Sequence, residues 1–257
     1  MKLDLYKFAS KDYTRYFMCG VYHDNGKKIA TDGHIMAIVK ADYLPQCEGK
    51  IIDRYSLPLD GRFPSYQKVI PDTKDLKKMD FDGRKFLQEL SDGKKILSIA
   101  EKIIKHKHKK DDRPSCWYYR TPNGDLMSST ITGQIEHFIK CYPDAELYQY
   151  DEQPYKSSAF IYKGSGTLEE PEAELVAMPL NGESVTEEHK PVFIGNIGFS
   201  MFEFRTLDRE YILNACNKLD ILKRIEFGTA TAKDKDFLQD VDAFAGFFQA
   251  MKEKATA

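Results

Sequence analysis

The chain has 257 residues, 42% of them hydrophobic and 12% aromatic, which is enough apolar material for one or two domains with a sizeable core. The 38 Lys and Arg residues nearly cancel the 40 Asp and Glu residues, so a DNA contact would need a local basic patch. Five cysteines without a CxxC pair speak against a zinc ribbon and favour a reduced, cytoplasmic compartment. The amino-terminal stretch has no signal-peptide pattern and no run of 18 apolar residues occurs, so we expect no membrane contact.

Three strand pairs are predicted along the chain. The apolar and aromatic runs at 15–22 and 28–39 flank Asn25-Gly26, a dipeptide typical of the type I′ hairpin turn. A second hairpin is predicted over 116–131 with its turn at Pro122-Asn123-Gly124. A third pair is predicted at 145–150 and 157–162.

Helical spacing of apolar residues predicts helices at 82–90, 94–110 and 132–141. Residues 164–173 have the composition of an exposed loop. Two further helices are predicted at 207–223 and 234–252, the second with an apolar stripe that includes Phe237, Val241, Phe244 and Phe248. The order of elements indicates an α+β fold with an antiparallel sheet and a mainly helical carboxyl-terminal segment.

Three separated segments carry the most functional information. The first is ATDGH at residues 30–34, followed by Ile35-Met36-Ala37. The second is DGRFPSYQKVIP at residues 60–71, and the third is LVAMPL at residues 175–180. The three segments resemble, in the same order, motifs of the bacterial DNA polymerase III beta subunit, the sliding clamp. The run at Arg15–Val21 is similar to the strand that precedes the first motif in that family.

The resemblance implies clamp-like units of antiparallel sheet and helices. In clamps the three segments converge on one hydrophobic pocket that binds short peptide motifs of polymerases and repair proteins. By position, the resemblance implies a peptide site formed by Thr31, Gly33, His34, Met36, Pro64, Lys68, Val69, Lys156, Ser157, Val176, Met178, Pro179 and Leu180. The residue types suit this role, because glycine lets a peptide backbone approach closely and methionine adapts to varied apolar anchors.

The chain also departs from the clamp pattern. Clamps have three similar domains, whereas this sequence has room for about two, and the interval between His34 and Phe63 is too short for the half-domain that clamps carry there. We therefore expect a partial clamp-like unit at 1–71, a clamp-like domain at 72–180 and a carboxyl-terminal extension at 181–257. A monomer is expected, with a trimer as the alternative, and no closed dimeric ring.

Several alternatives remain open at the level of sequence. Asp32 and His34 could form a catalytic pair, although Asp-Gly after a strand is more often a turn. No hydrolase motif supports an enzyme, so we expect no catalytic residues, no metal and no cofactor. The chain could instead be a structural or regulatory protein that retained the clamp fold and no longer encircles DNA, and an unrecognised hydrolase is the least favoured alternative.

The basic cluster at 102–110 is the one candidate DNA contact in the sequence. Clamp helices line a basic channel, so Lys102, Lys105 and Lys109 could contact phosphates, but a lysine run at a helix end is more often solvated. We expect DNA binding to be weak. His106 and His108 lack partners at metal-ligand spacing.

Overall fold

The structure is a computed structural model that describes residues 2–94, 116–150, 156–180, 192–194, 196–200, 228 and 231. The chain divides into two compact units, Met1–Gln88 with Tyr118–Val185 and Glu89–Trp117 with Thr186–Ala257. No helix within the described residues is long and apolar enough to cross a membrane.

Antiparallel strands dominate the described chain. They are β1 (Val21–Asp24), β2 (Lys27–Thr31), β3 (Ile35–Lys40), β4 (Ile51–Ile52), β5 (Pro58–Leu59), β6 (Leu76–Lys78), β7 (Cys116–Arg120), β8 (Leu126–Ser128), β9 (Glu146–Tyr150), β10 (Ser158–Tyr162), β11 (Ala173–Ala177), β12 (Val192–Ile194) and β13 (Ile197–Ser200). The α-helices are α1, described over residues 83–94, and α2 (Ser129–Cys141). Short 3-10 helices form at Leu5–Lys7, Tyr13–Met18, Tyr66–Lys68 and Thr73–Asp75.

The first unit is built on one nine-stranded antiparallel sheet. Its strand order is β5-β4-β1-β2-β3-β11-β10-β9-β6. The outermost strands are short: β5 has two residues and begins with Pro58, and β6 has three residues, of which Lys77 and Lys78 are exposed. The predicted α+β class with an antiparallel sheet is confirmed.

The Asn25-Gly26 hairpin forms as predicted. Asn25 and Gly26 have φ values of 47° and 70°, and β1 pairs with β2 in the register Asp24 to Lys27. Positive φ at both central residues is the type I′ geometry, whose twist matches that of the flanking strands. The hairpin β7-β8, the pair β9-β10, both helices near 82–90 and 132–141 and the loop before β11 are also confirmed.

Two predicted strands are corrected by the structure. The run 28–39 is not one strand but two, β2 and β3, because a turn at Asp32–His34 folds the chain back on itself. The first half of the run 15–22 belongs to the 3-10 helix Tyr13–Met18, and only the end of the run joins β1. The side chain of Asp12 accepts a hydrogen bond from the backbone N–H of Thr14, and this cap starts the helix before the apolar run begins.

The predicted segments 1–71 and 72–180 contribute strands to the same sheet. Strand β3 of the first segment pairs with β11 of the second over the full length of β11. The division of the chain into three clamp-related segments stays a prediction. The predicted helices at 207–223 and 234–252, most of the helix at 94–110, and the lysines Lys102, Lys105 and Lys109 lie outside the described residues.

In the second unit, the described residues form a small hairpin. Strands β12 and β13 pair antiparallel, with Ile194 opposite Ile197. The side-chain amide of Asn196 in the turn donates to the carboxylate of Glu89 at 3.2 Å. This bond ties the hairpin turn to the helical residues of the same unit.

Candidate functional site

The first motif forms a tight turn between β2 and β3. The Asp32 carboxylate accepts hydrogen bonds from the backbone N–H groups of His34 and Ile35, at 2.9 and 3.1 Å. The Thr31 hydroxyl donates to the carbonyl of Ile35 at 2.7 Å and accepts from the N–H of Gly33 at 3.0 Å. Gly33 has a φ of +95°, a conformation that residues with a Cβ rarely adopt. The polar residues of the motif therefore build the turn, and Asp32 is occupied as its acceptor.

The second motif crosses the sheet on one side and is anchored by two aromatic residues. The ring of Phe63 stacks on that of Tyr22 with centroids 4.8 Å apart, and Tyr66 contacts the same ring edge-on. The Tyr66 hydroxyl donates to the Asp24 carboxylate at 2.8 Å. Burial, together with this bond to a carboxylate, raises the pKa of Tyr66. With Phe63 and Tyr66 buried, the intervening Pro64 is held at the surface.

The three motifs meet in one core cluster. Met36 of the first motif is paired in register with Val176 of the third. Both belong to a cluster that also contains Phe63 and Tyr66 of the second motif. Segments separated by more than a hundred residues in the sequence thus converge in space, as the resemblance implies.

Three of the thirteen residues predicted for a peptide site are buried. Met36 and Val176 are each 3% exposed and Thr31 is 8% exposed. Their side chains fill the core or close the turn and so support the surface from below, and their part in a peptide site stays a prediction. The remaining residues are exposed or half-buried, namely Gly33, His34, Pro64, Lys68, Val69, Lys156, Ser157, Met178, Pro179 and Leu180.

Two exposed apolar side chains mark the surface above this cluster. Val69 is 56% exposed and Met178 is 43% exposed. The backbone N–H of Val69 donates to the carbonyl of Tyr66 at 3.1 Å, and that of Met178 donates to the carbonyl of His34 at 2.9 Å. Side chains alternate along a strand, so Met178 follows Val176 on the side of the sheet that carries the cluster. We define the motif surface as the set Pro64, Lys68, Val69, Met178, Pro179 and Leu180, of which Pro179 and Leu180 are half-buried and the others exposed.

The last predicted site residues lie at the start of β10. The ammonium of Lys156 sits 4.5 Å from the centroid of the Tyr150 ring, within the range of a cation–π contact. Ser157 is half-buried, and Ser158 beside it is fully buried and accepts a hydrogen bond from the amide of Gln149 at 2.8 Å. This part of the strand is therefore anchored by side chains that the sequence did not single out.

His34 faces a feature that sequence reasoning missed. It lines a cavity of about 650 Å³ together with Arg15, Gln134 and His137, among others. Burial lowers the pKa of His137, and the nearby Lys7 ammonium lowers it further. The amide of Gln134 donates to the Asp32 carboxylate at 3.2 Å, so helix α2 braces the turn of the first motif.

No protein-family model matches the chain. No curated protein matches it either.

Solved bacterial sliding clamps are similar to the structure. The DNA polymerase sliding clamp of Caulobacter crescentus is 15% identical with a TM-score of 0.44, covering 69% of this chain and 62% of the clamp. The sliding clamp of Bacillus subtilis is 13% identical with a TM-score of 0.42, covering 68% and 59%. The DNA polymerase III beta subunit of Thermotoga maritima is 14% identical with a TM-score of 0.40, covering 68% and 60%. The chain thus spans about 60% of the length of these clamps, which belong to the family that the three motifs resemble.

Proposed function

We propose that the chain is a non-enzymatic, clamp-like protein that binds short peptide motifs of DNA replication or repair partners at the motif surface. The observation that carries the proposal is the exposure of Val69 and Met178 beside a core cluster to which all three motifs contribute. Exposed apolar side chains on a rigid, well-packed base are suited to anchor one or two apolar residues of a peptide.

The polar residues around these anchors fit the same role. His34 and Lys68 are exposed and can bond the carbonyl or carboxylate groups of a peptide. Gly33 is exposed and leaves room for a close backbone approach at the turn. Charged groups at the rim of such a site contribute little to affinity, because water screens them. We therefore assign most of the binding free energy to the apolar contacts.

The proposed affinity is modest, on the order of micromolar, because a short flexible peptide loses conformational freedom on binding. We further propose that the protein is a monomer, with a trimer as the alternative, and that the basic cluster at Lys102, Lys105 and Lys109 contacts DNA weakly at best. Light scattering in dilute solution tests the oligomeric state, and a stable dimer or trimer would contradict the monomer.

Calorimetric titration with a clamp-binding peptide tests the function. Met178→Ala should weaken binding by about 1–2 kcal/mol if Met178 contacts a peptide anchor. Leu57→Ala is the matched control, since Leu57 is an apolar side chain of similar exposure, 60%, outside the three motifs. It should leave the affinity unchanged. No heat from the native protein, or equal affinity of the native and Met178→Ala proteins, would leave a clamp-like fold with a structural or regulatory role.

A further inference from the structure

A second exposed region of the first unit has a different composition. Two cavities, of about 350 and 650 Å³, adjoin there, since Tyr6, Lys11 and Arg54 are among the residues that line both. The walls come from the turns at the beginning of the chain and the loop between β4 and β5, and in the larger cavity also from α2 and the turn of the first motif. We call the two cavities together the tyrosine groove, after Tyr6, Tyr13, Tyr16 and Tyr55, which line the first of them.

The tyrosines of the groove are unusually exposed. Tyr13 is 86% exposed, Tyr55 is 81% exposed and Tyr16 is 49% exposed. Tyr6 is held in place, since its hydroxyl donates to the carbonyl of Asp53 at 2.5 Å and the Arg54 guanidinium lies 5.8 Å from its ring centroid. The groove thus offers protruding aromatic faces beside one fixed ring.

The acidic side chains in the walls each accept hydrogen bonds from neighbouring groups. Asp12 accepts from Thr14 and from the guanidinium of Arg15. Asp53 accepts from the backbone N–H groups of residues 55 and 57, at 2.8 and 2.7 Å, and Asp32 closes the turn of the first motif.

The basic side chains are less committed. Lys11 and Arg54 form no ion pair within the described part of the chain, and the Lys7 ammonium lies 3.4 Å from Nδ1 of His137. His137 sits beside Lys7 and its pKa is lowered, so at neutral pH it adds no further positive charge. The groove therefore presents Lys11 and Arg54 without an ion pair in the described part of the chain, beside carboxylates that accept hydrogen bonds from neighbouring groups.

We infer that the tyrosine groove binds single-stranded nucleic acid. Cations that track a backbone, with aromatic rings on which bases stack, are the combination by which proteins hold single strands without reading sequence. Lys7, Lys11 and Arg54 would contact phosphates, and Tyr13 and Tyr55 would stack on bases. An acidic peptide is the less suitable occupant, because peptide anchors are buried in pockets, whereas these rings protrude into solvent.

Fluorescence anisotropy of the full chain with a labelled oligothymidylate of about 15 nucleotides tests the inference. Binding should weaken steeply as salt is raised, because phosphate contacts release counterions. Tyr13→Ala with Tyr55→Ala should weaken binding at least about fivefold, the lower end of what the removal of one stacked base gives. Tyr43→Ala is the matched control, a 58% exposed tyrosine outside the groove, and should have no effect.

A second pair of variants tests the role of the cations. Lys11→Gln with Arg54→Gln should lower the slope of log affinity against log salt by about 1.4, because each side chain would neutralise one phosphate of a single strand and so account for about 0.7 of that slope. The control Lys85→Gln removes an exposed lysine of α1 and should leave that slope unchanged.

Three results would overturn the inference. They are an unchanged affinity of the tyrosine double variant, equal affinity for duplex DNA of the same length, and displacement of the oligonucleotide by polyglutamate at equal charge concentration. The third result would mean that the groove binds acidic peptides instead. All of these substitutions fall at exposed positions, and circular dichroism of each variant checks that the fold is retained. A negative result in these oligonucleotide experiments would not contradict the proposed peptide site, because that site is tested with a different probe and different variants.

Discussion

The motif surface and the tyrosine groove are two exposed regions of the same compact unit, and their chemistry is opposite. The motif surface is a small apolar area above a core cluster shared by three segments, with Val69 and Met178 as its exposed anchors. The groove is lined by polar and aromatic side chains, and its cations Lys11 and Arg54 form no ion pair within the described residues. The resemblance to a family led to the first region, whereas the second was recognised only from the exposure and charge of its side chains.

The turn at Asp32–His34 links the two regions. The carbonyl of His34 accepts a hydrogen bond from Met178 at the motif surface, and its side chain lines the cavity of the groove. A substitution in one region that leaves this turn intact should therefore change ligand binding at that region alone. A substitution within the turn should change ligand binding at both regions.

The largest expected effect is a difference in unfolding free energy between a variant in the core cluster and a variant at the motif surface. Met36→Ala should lower the free energy of unfolding by about 2–5 kcal/mol, because it leaves a cavity in the cluster. Met178→Ala should lower it by less than Met36→Ala does, since Met178 is 43% exposed and lies outside the core cluster. Urea unfolding of both variants measures the difference. Equal destabilisation would mean that Met178 belongs to the core, and that no motif surface exists.

The next largest effect is expected at the shared turn. Gly33→Ala should cost about 1–3 kcal/mol of unfolding free energy, because the φ of +95° is strained for alanine and its Cβ would lie 3.1 Å from the Arg15 guanidinium. Gly133→Ala is the control: it lies within α2 with open space around the added Cβ, and should gain about 0.5–1 kcal/mol. Thermal unfolding of both variants should show shifts of opposite sign.

A smaller effect on stability is expected at Glu146, which lies outside both regions, so a substitution there should change stability without changing binding. Glu146 accepts bonds from the ammonium groups of Lys163 and Lys78 and from the Tyr148 hydroxyl, and these partners lower its pKa to about 2. Its contribution to stability is complete above the ordinary pKa of 4.5 and is lost as pH falls from there towards 2. Glu146→Gln should therefore destabilise the protein at neutral pH by less than about 1 kcal/mol, since the group is partly solvated.

The pH dependence supplies the check on this prediction. The difference in unfolding free energy between native and Glu146→Gln proteins should shrink as pH falls below 4.5. Glu169→Gln, at an exposed glutamate, should show no such difference at any pH. Peptide and oligonucleotide affinities at neutral pH should be unchanged in both variants. A loss of either affinity in Glu146→Gln would mean that binding follows global stability.

The smallest expected effects are those of a variant in one region on the ligand of the other region. Met178→Ala should change oligonucleotide affinity by less than about 0.5 kcal/mol, and Tyr13→Ala should change peptide affinity by no more than that, as for independent sites. Anisotropy and calorimetry on the same two variants provide the measurement. Substantial crossed losses would show that one ligand covers both regions.

Local signals in the sequence are sufficient for much of the fold. Asn25-Gly26 predicts its hairpin because both residues tolerate positive φ, and the helical spacing in α2 predicts that helix because Ile135, Phe138 and Ile139 fall on one face. The predicted strand at 28–39 is wrong because Asp32 and Gly33, which resemble part of a binding motif, are also a turn signal.

The candidate site is less accessible to sequence reasoning. The burial of Met36 and Val176 depends on the pairing of β3 with β11, which no local pattern encodes. Sequence reasoning missed the groove because Tyr6, Tyr13 and Arg54 are scattered in polar segments and become neighbours only after folding. Tyrosines in segments without apolar periodicity are the signal that could have found it.

The two edge strands of the nine-stranded sheet affect how readily copies of the protein pair through their strands at high concentration. On β5, Pro58 has no N–H to offer to an added strand, and two copies of β6 laid side by side would bring the lysines at 77 and 78 of each copy together. Ribbon-like growth from strand to strand is disfavoured at both ends. The nine-stranded sheet therefore has features at both of its ends that oppose aggregation by strand pairing.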